Sequence, residues 1–239
     1  IHCQPFRYGA DIATHSTTKY MDGHASAVGG CIVDSGNFNW SKYPEKFPGL
    51  CTPDESYHGV TYTEKFGIGG AYITKATVQL MRDFGSVQSP QSAFLLALGL
   101  ESLHLRVKRH CENALKVAAF LKDHPKIEWV RCAGLEGDKY YDRAKKYLEN
   151  GGCGVISFGV KGGRAAAQVF MKSLKLAGVE THVADSKTCC LHPASTTHRQ
   201  MTDAELENAG VKPDLIRFSC GIEDSEDIIA DIKNALSQI

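Results

Sequence analysis

Charge of one sign is not in excess in this sequence, because 27 lysines and arginines balance 27 aspartates and glutamates. The balance gives no bulk electrostatic reason for binding nucleic acid or an anionic membrane. No apolar run approaches the ~20 residues that a membrane-spanning helix needs. We therefore expect neither a nucleic-acid partner nor a membrane.

The nine cysteines include no Cys-x-x-Cys pair, which argues against a zinc ribbon and against a thioredoxin-type redox site. His192 and His198 have a spacing that fits neither a helical histidine pair nor a zinc finger. We expect no metal site. Thiols scattered over a chain of 239 residues fit a reducing compartment better than a disulfide framework, so the predicted location is the cytoplasm.

The first part of the chain mixes short strands, a long irregular segment and a helix. Apolar runs predict strands at 9–14 and 29–33. Residues 34–69 are rich in glycine, proline and aromatics, which predicts a long loop-like insertion that packs onto the rest of the protein. Helical spacing follows at 71–84.

Residues 91–122 have helical spacing throughout, which predicts either one helix linking two domains or a kinked pair with Gly99 as the weak point. A small α/β domain follows, so the predicted domains are 1–109 and 110–239. The predicted strands of the second domain are 127–130, 155–160, 188–191 and 216–219, and its helices are 140–148, 163–174 and 226–239, the last with Ser225 as N-cap.

The chemistry of the chain points to the segment Ser16-Thr17-Thr18-Lys19, directly after a predicted strand. A lysine amine forms a Schiff base with a carbonyl cofactor. Hydroxyls and backbone N–H groups of such a turn can hold a phosphate. The tetrapeptide alone leaves an exposed loop lysine as the alternative interpretation.

Three segments in order resemble one enzyme family. The first is Asp11–Tyr20 followed by Gly23-His24, the second is Leu191–His198, and the third is Leu215–Glu223. They resemble the cofactor-lysine segment, the C-terminal signature and the closing strand of the pyridoxal-phosphate (PLP) enzymes of cysteine and methionine metabolism. The resemblance implies an α/β fold of the fold-type-I, aspartate-aminotransferase-like class, with residues 1–109 in the large domain and 110–239 in the small one.

Residue roles follow from the resemblance position by position. Lys19 matches the lysine that binds PLP as a Schiff base and then acts as general base and acid. Ser16 and Thr18 match the positions that hydrogen-bond the cofactor phosphate. Arg217 matches the arginine that binds the substrate α-carboxylate. His182 replaces a smaller residue of several relatives, and no catalytic role is predicted for it.

The insertion at 34–69 and the segment Ala71–Asp83 resemble the O-acetylhomoserine sulfhydrylase branch of the family. This resemblance implies γ-replacement on O-acetyl-L-homoserine with sulfide or a thiol such as methanethiol, giving homocysteine or methionine plus acetate. Three alternatives stay open: a cystathionine γ-synthase or methionine γ-lyase activity, a non-catalytic assembly half, and an unrelated α/β binding domain.

The resemblance also implies a homotetramer and cofactor contacts upstream of Ile1. We expect the chain to be the C-terminal portion of a longer enzyme, whose N-terminal half is its partner. On that interpretation the chain alone is inactive and poorly soluble, because residues 1–109 form an incomplete sheet-containing domain.

Overall fold

A computed structural model describes residues 1–149 and 151–239, in two compact units. The larger unit comprises Ile1–Cys3, Thr18–Ala27 and Leu95–Ile239, and the smaller one comprises Gln4–Thr17 and Val28–Phe94. Residues 18–27 thus belong to the larger unit, although most of that unit begins only at Leu95. The domain boundary at 109–110 stays a prediction.

The smaller unit contains one hairpin and a set of helices. Strand β1 (Ile12–Ser16) pairs antiparallel with β2 (Gly30–Asp34), so Ser16 is opposite Gly30. This places the strands close to the predicted positions. The helices are α1 (Pro48–Cys51), α2 (Tyr62–Lys75) and α3 (Arg82–Phe84), with a π-helical segment at Ala76–Met81 between the last two.

Aromatic side chains form the centre of this smaller unit. The indole of Trp40 stacks on the ring of Tyr72, with ring centroids 5.3 Å apart and planes 11° apart. Phe47 meets the same indole edge-on at 5.0 Å. The 34–69 segment therefore packs against its own unit, which is a physical reason for its many aromatics.

The prediction of a loop up to residue 69 is wrong at its end, because α2 begins at Tyr62. Glycines at 67, 69 and 70 lower the helix propensity of this stretch and hide its helical spacing. Gly67 also has φ +66° and ψ −179°, a conformation that is essentially restricted to glycine, and it kinks the helix.

Residues 91–122 form a pair of helices, α4 (Pro90–Glu101) and α5 (Leu103–Lys122). The kinked-pair alternative is therefore confirmed. The break lies at Ser102, whereas Gly99 remains helical and buried.

A five-stranded sheet organises the larger unit, with strand order β3-β4-β7-β6-β5. Neighbours are antiparallel except β5 and β6, which run parallel. The strands are β3 (Ile127–Arg131), β4 (Val155–Val160), β5 (Gly178–Val179), β6 (Cys189–Leu191) and β7 (Leu215–Ser219). The four predicted strands are confirmed, and the two-residue edge strand β5 was not predicted.

The remaining helices of this unit are α6 (Tyr141–Tyr147), α7 (Gly163–Ser173), α8 (Asp203–Asn208) and α9 (Ser225–Ser237). Side chains of α5, α7 and α9 form one core with β4 and β7, in which Phe158, Phe170 and Phe218 are fully buried. The N-cap of α9 is Asp224, which accepts a hydrogen bond from the Glu226 N–H, so the prediction of Ser225 is wrong by one residue. None of the helices in the described ranges has the length and apolarity to cross a membrane.

Candidate active site

Lys19 lies in the loop of residues 18–27, here called the lysine loop, directly after β1. The Gly23 N–H donates to the Lys19 carbonyl at 2.8 Å, which closes a tight turn. Gly23 has φ +71°, a left-handed conformation that favours glycine. The turn leaves the Lys19 side chain half-buried.

Asp22 stabilises the second half of the lysine loop from inside. The residue is 1% exposed, and its carboxylate accepts the N–H of Ser26 at 2.9 Å and that of His24 at 3.3 Å, while the Ser26 hydroxyl donates to it at 2.5 Å. Burial alone would raise the pKa of Asp22, but the hydrogen bonds from Ser26 and His24 outweigh it and lower that pKa. Asp22 is therefore a charged local cap, which fixes the loop around Lys19.

Arg106 of α5 holds the lysine loop from the other side. Its guanidinium donates from Nη1 to the Tyr20 carbonyl at 2.8 Å and from Nη2 to the Gly99 carbonyl at 2.6 Å and to the Met21 carbonyl at 3.4 Å. Nε donates to the Ser102 hydroxyl at 3.0 Å. Burial lowers the pKa of Arg106. A cation placed among neutral carbonyls thus holds the two residues that follow Lys19.

A second loop, residues 181–188, contacts the lysine loop. Both the N–H and the hydroxyl of Ser186 donate to the Gly23 carbonyl at 2.8 Å. Within this 181–188 loop Ala184 has φ +67°, which is strained for a residue with a Cβ, and its N–H donates to the Ser219 hydroxyl at 2.8 Å. The loop therefore has a fixed conformation between the lysine loop and β7.

Arg217 lies on β7 and contacts the same 181–188 loop. Its Nη2 donates to the carbonyls of Thr181 at 2.8 Å and His182 at 3.0 Å. Its Nε is buried and has no hydrogen-bond partner among the residues the structure describes. Burial lowers the pKa of Arg217. The guanidinium is thus anchored at one nitrogen and retains a buried donor that an anionic ligand can use.

His182 is brought near Lys19, although no role was predicted for it. Burial lowers the pKa of the imidazole, and the positive charge of Lys19 lowers it further. Its buried Nε2 also lacks a hydrogen-bond partner within residues 1–149 and 151–239. Both effects favour the neutral form of the His182 imidazole.

The structure places Lys19, Thr18 and Arg217 in the larger unit and Ser16 in the smaller one. Ser16 is an exposed residue at the end of β1, and Thr18 is half-buried in the lysine loop. In the part of the chain that the structure describes, no group of three or more His, Cys, Asp or Glu side chains could hold a metal ion.

Residues 1–237 match the sequence model of the Cys/Met metabolism PLP-dependent enzyme family. The chain belongs to this family.

Two curated relatives show the extent of the similarity. The chain is 47% identical to a homocysteine/cysteine synthase from Kluyveromyces lactis, over 99% of this chain and 55% of the relative. It is 46% identical to an O-acetyl-L-homoserine sulfhydrylase from Leptospira meyeri, over 98% of this chain and 54% of the relative. The chain therefore spans about half the length of the curated relatives it matches.

A solved structure from Campylobacter jejuni, assigned as an O-acetylhomoserine (thiol)-lyase, superposes with a TM-score of 0.90 at 36% identity. The match covers 98% of this chain and 56% of that one, which carries a pyridoxyl-lysine phosphate group. This similarity confirms the expected fold-type-I α/β class.

Sequence reasoning missed Arg106, Asp22 and Ser186. Arg106 had a detectable signal, because Arg106, His110 and Asn113 recur at helical spacing among the apolar residues of α5. Asp22 and Ser186 act through local backbone contacts and have no pattern that spacing would reveal.

Proposed function

We propose that the full-length gene product binds PLP covalently through the Lys19 Nζ and catalyses γ-replacement on O-acetyl-L-homoserine. Sulfide, or a thiol such as methanethiol, is the second substrate, and the products are homocysteine or methionine plus acetate. The observation that carries the proposal is that Lys19 and Arg217 lie in one compact unit, both connected to the 181–188 loop by hydrogen bonds or charge. The names of the relatives above support this substrate class.

The residues present fit PLP and an amino-acid substrate. An amine, hydroxyls and a guanidinium with a buried unpaired Nε match an aldehyde, a phosphate and a carboxylate respectively. Bound PLP supplies an electron sink that stabilises negative charge at the substrate α-carbon.

Each site residue then has a definite task. Ser16 and Thr18 hydroxyls donate to the cofactor phosphate. Arg217 binds the α-carboxylate through its unpaired Nε, while its Nη2 contacts to the 181–188 loop fix the plane of the guanidinium. The Lys19 amine takes and returns the protons whose movement accompanies loss of acetate from the γ-carbon.

The same family resemblance supports a homotetramer in the cytoplasm. Light scattering on the purified full-length gene product tests the oligomer: a mass of four chains supports this proposal, and a stable monomer contradicts it. Fractionation of the source cells tests the compartment.

A visible spectrum tests the role of Lys19. The full-length gene product is loaded with PLP, and the wild type is compared with Lys19→Ala. We expect a visible band in the wild type that shifts when O-acetyl-L-homoserine is added and that the variant lacks, because the chromophore requires the lysine bond. The matched control is Lys161→Ala, which removes an exposed lysine at the end of β4.

Product analysis separates the activities. Sulfide plus O-acetyl-L-homoserine should give homocysteine and acetate faster than cysteine as co-substrate gives cystathionine, and faster than L-methionine is cleaved. A band that survives Lys19→Ala would show that another lysine binds PLP, and preferred use of cysteine or methionine would identify a sister activity.

A further inference from the structure

Helix α5 carries three polar residues on its buried face. Arg106, His110 and Asn113 are spaced i, i+4 and i+7, which places them along one side of the helix. Arg106 is 5% exposed, and His110 and Asn113 are 0% exposed. Buried polar side chains are costly unless they are hydrogen-bonded, so the contacts of this polar stripe show what it binds.

The first member of the polar stripe, Arg106, binds the lysine loop at the carbonyls of Tyr20 and Met21. Two glycines make the approach close. A Cβ on Gly23 would lie 2.1 Å from Arg106 Nη1, and a Cβ on Gly99 would lie 2.4 Å from the Asp22 carbonyl oxygen. Neither position could therefore carry a Cβ unless the guanidinium or the lysine loop moved.

The other two members bind the segment that follows β7. His110 Nδ1 donates to the Cys220 carbonyl at 2.6 Å, because a carbonyl only accepts, and burial lowers the pKa of the ring. Asn113 Nδ2 donates to the carbonyls of Gly221 at 2.9 Å and Glu223 at 2.8 Å. These residues begin three positions after Arg217.

We infer that the polar stripe of α5 is a positioning element, which sets the lysine loop and the Arg217 strand at a fixed separation. One rigid helix holds both segments by their backbone carbonyls. The cofactor lysine and the carboxylate-binding arginine of the proposed function, on which this inference rests, therefore keep their geometry through residues that touch neither cofactor nor substrate. Small misplacement of reacting groups is enough to lower catalysis strongly.

Variants at the two ends of the stripe should have different effects, and Gly99 of α4 offers a third variant beside Arg106. Arg106→Lys keeps the charge but loses the planar fork, and Gly99→Ala displaces the lysine loop without changing any charge. For both we expect PLP to dissociate roughly tenfold faster and its visible circular dichroism to change, since a loosened turn misplaces Lys19.

Asn113→Ala should raise KM for O-acetyl-L-homoserine roughly tenfold and leave kcat within about twofold, because it loosens the Arg217 side.

The matched control is Asp231→Asn in the same unit. Asp231 is 9% exposed and accepts the N–H groups of Lys175, Leu176 and Ala177 at 2.8, 3.0 and 3.0 Å, so it also fixes a loop by buried hydrogen bonds. We expect Asp231→Asn to lower Tm while the PLP dissociation rate, the visible dichroism and KM stay at wild-type values.

All measurements use the full-length gene product with PLP. If Arg106→Lys and Gly99→Ala lower only Tm, or if Asp231→Asn changes the PLP signals as they do, the stripe is purely structural and the inference is overturned. If Arg106→Lys does not fold, Asn113→Ala, a member of the stripe, decides the same point through its effect on KM and kcat. A wild type without a visible band contradicts the proposed function, and the inference falls with it, whereas a normal wild-type band with unaffected variants contradicts the inference alone.

Discussion

The two compact units are stabilised by different kinds of packing. In the larger unit three helices cover a sheet, and aliphatic and phenyl side chains interdigitate in one extended core. In the smaller unit the buried cluster is Trp40, Leu50, Tyr62 and Ala71, surrounded by half-buried aromatics. Phe84, Val87 and Phe94 of this unit are 81%, 64% and 58% exposed.

The difference shows which unit buries its apolar side chains by its own packing and which unit does not. A sheet covered by helices buries its apolar faces within residues 114–239 of one unit. The smaller unit has only a two-stranded sheet, and isolated hairpins need further packing for stability. The smaller unit lies within residues 1–109, for which the sequence predicts an incomplete domain that needs the N-terminal half of the enzyme. That partner stays a prediction.

Truncation of the larger core should have the largest effect. Phe158 on β4 is 0% exposed and contacts Phe170 edge-on, with centroids 5.7 Å apart. Phe158→Ala is expected to lower the free energy of unfolding by about 3–5 kcal/mol, because it leaves a cavity between sheet and helices. Urea denaturation of the purified wild type and variant measures this loss of unfolding free energy.

Two further variants turn this into a comparison of the units. Val169→Ala on α7, where the side chain is 42% exposed, should change stability by less than about 0.5 kcal/mol. Trp40→Phe in the smaller unit should cost about 1–2 kcal/mol, because an aromatic ring is retained. A loss for Trp40→Phe as large as that for Phe158→Ala would show that the aromatic cluster is as tightly packed as the sheet core.

A helix cap in the larger unit should have a smaller effect. The Thr202 hydroxyl accepts the Glu205 N–H while the Glu205 carboxylate accepts the Thr202 N–H at 2.7 Å, a complete capping box for α8. Thr202→Ala should lower the free energy of unfolding by about 1 kcal/mol, and Thr202→Ser should restore most of it. Equal losses in both variants would mean that the methyl group, rather than the hydroxyl, stabilises this end of the helix.

Most of the larger unit could be predicted from the sequence because its elements are periodic and amphipathic. Helix α9, for example, puts Ile228, Ile232 and Leu236 on one face, and the structure buries all three. The smaller unit was harder to predict. Its helix α2 contains a kink at Gly67, and its packing depends on aromatics whose spacing follows no helix or strand period.

The candidate site, like the fold, could be predicted only in part. Lys19 and Arg217 could be proposed because they lie in motifs that a family resemblance identifies. The sequence predicts Gly99 as the weak point of a helix, whereas in the structure it permits the close approach of the Met21 and Asp22 carbonyls to α4. Such a requirement is visible only when segments distant in sequence are placed together.

The smallest expected effect concerns an ion pair of the smaller unit and depends on pH. Lys75 Nζ lies 2.5 Å from Asp54 Oδ2. The hydrogen bonds from Lys75 and then Ser56 lower the pKa of Asp54 to about 2. Since the folded pKa lies below the unfolded value of about 3.9, the stabilisation is present above pH 4 and is lost as the pH falls towards 2. Asp54→Asn should therefore be less stable than the wild type at pH 5 and equally stable near pH 2.

Asp83→Asn is the control for this last comparison, because Asp83 pairs with Arg82 at an exposed position of the same unit. The Arg82 side chain is 55% exposed and the Asp83 side chain is 48% exposed. Pairs of that kind contribute little to stability. Thermal unfolding of the three proteins from pH 5 to pH 2 should separate the curves of Asp54→Asn and the wild type at the upper end only, while Asp83→Asn follows the wild type throughout. A gap between Asp54→Asn and the wild type that persists unchanged at pH 2 would show that Asp54 acts through its hydrogen bonds in the neutral form, and that the smaller unit does not depend on this charge.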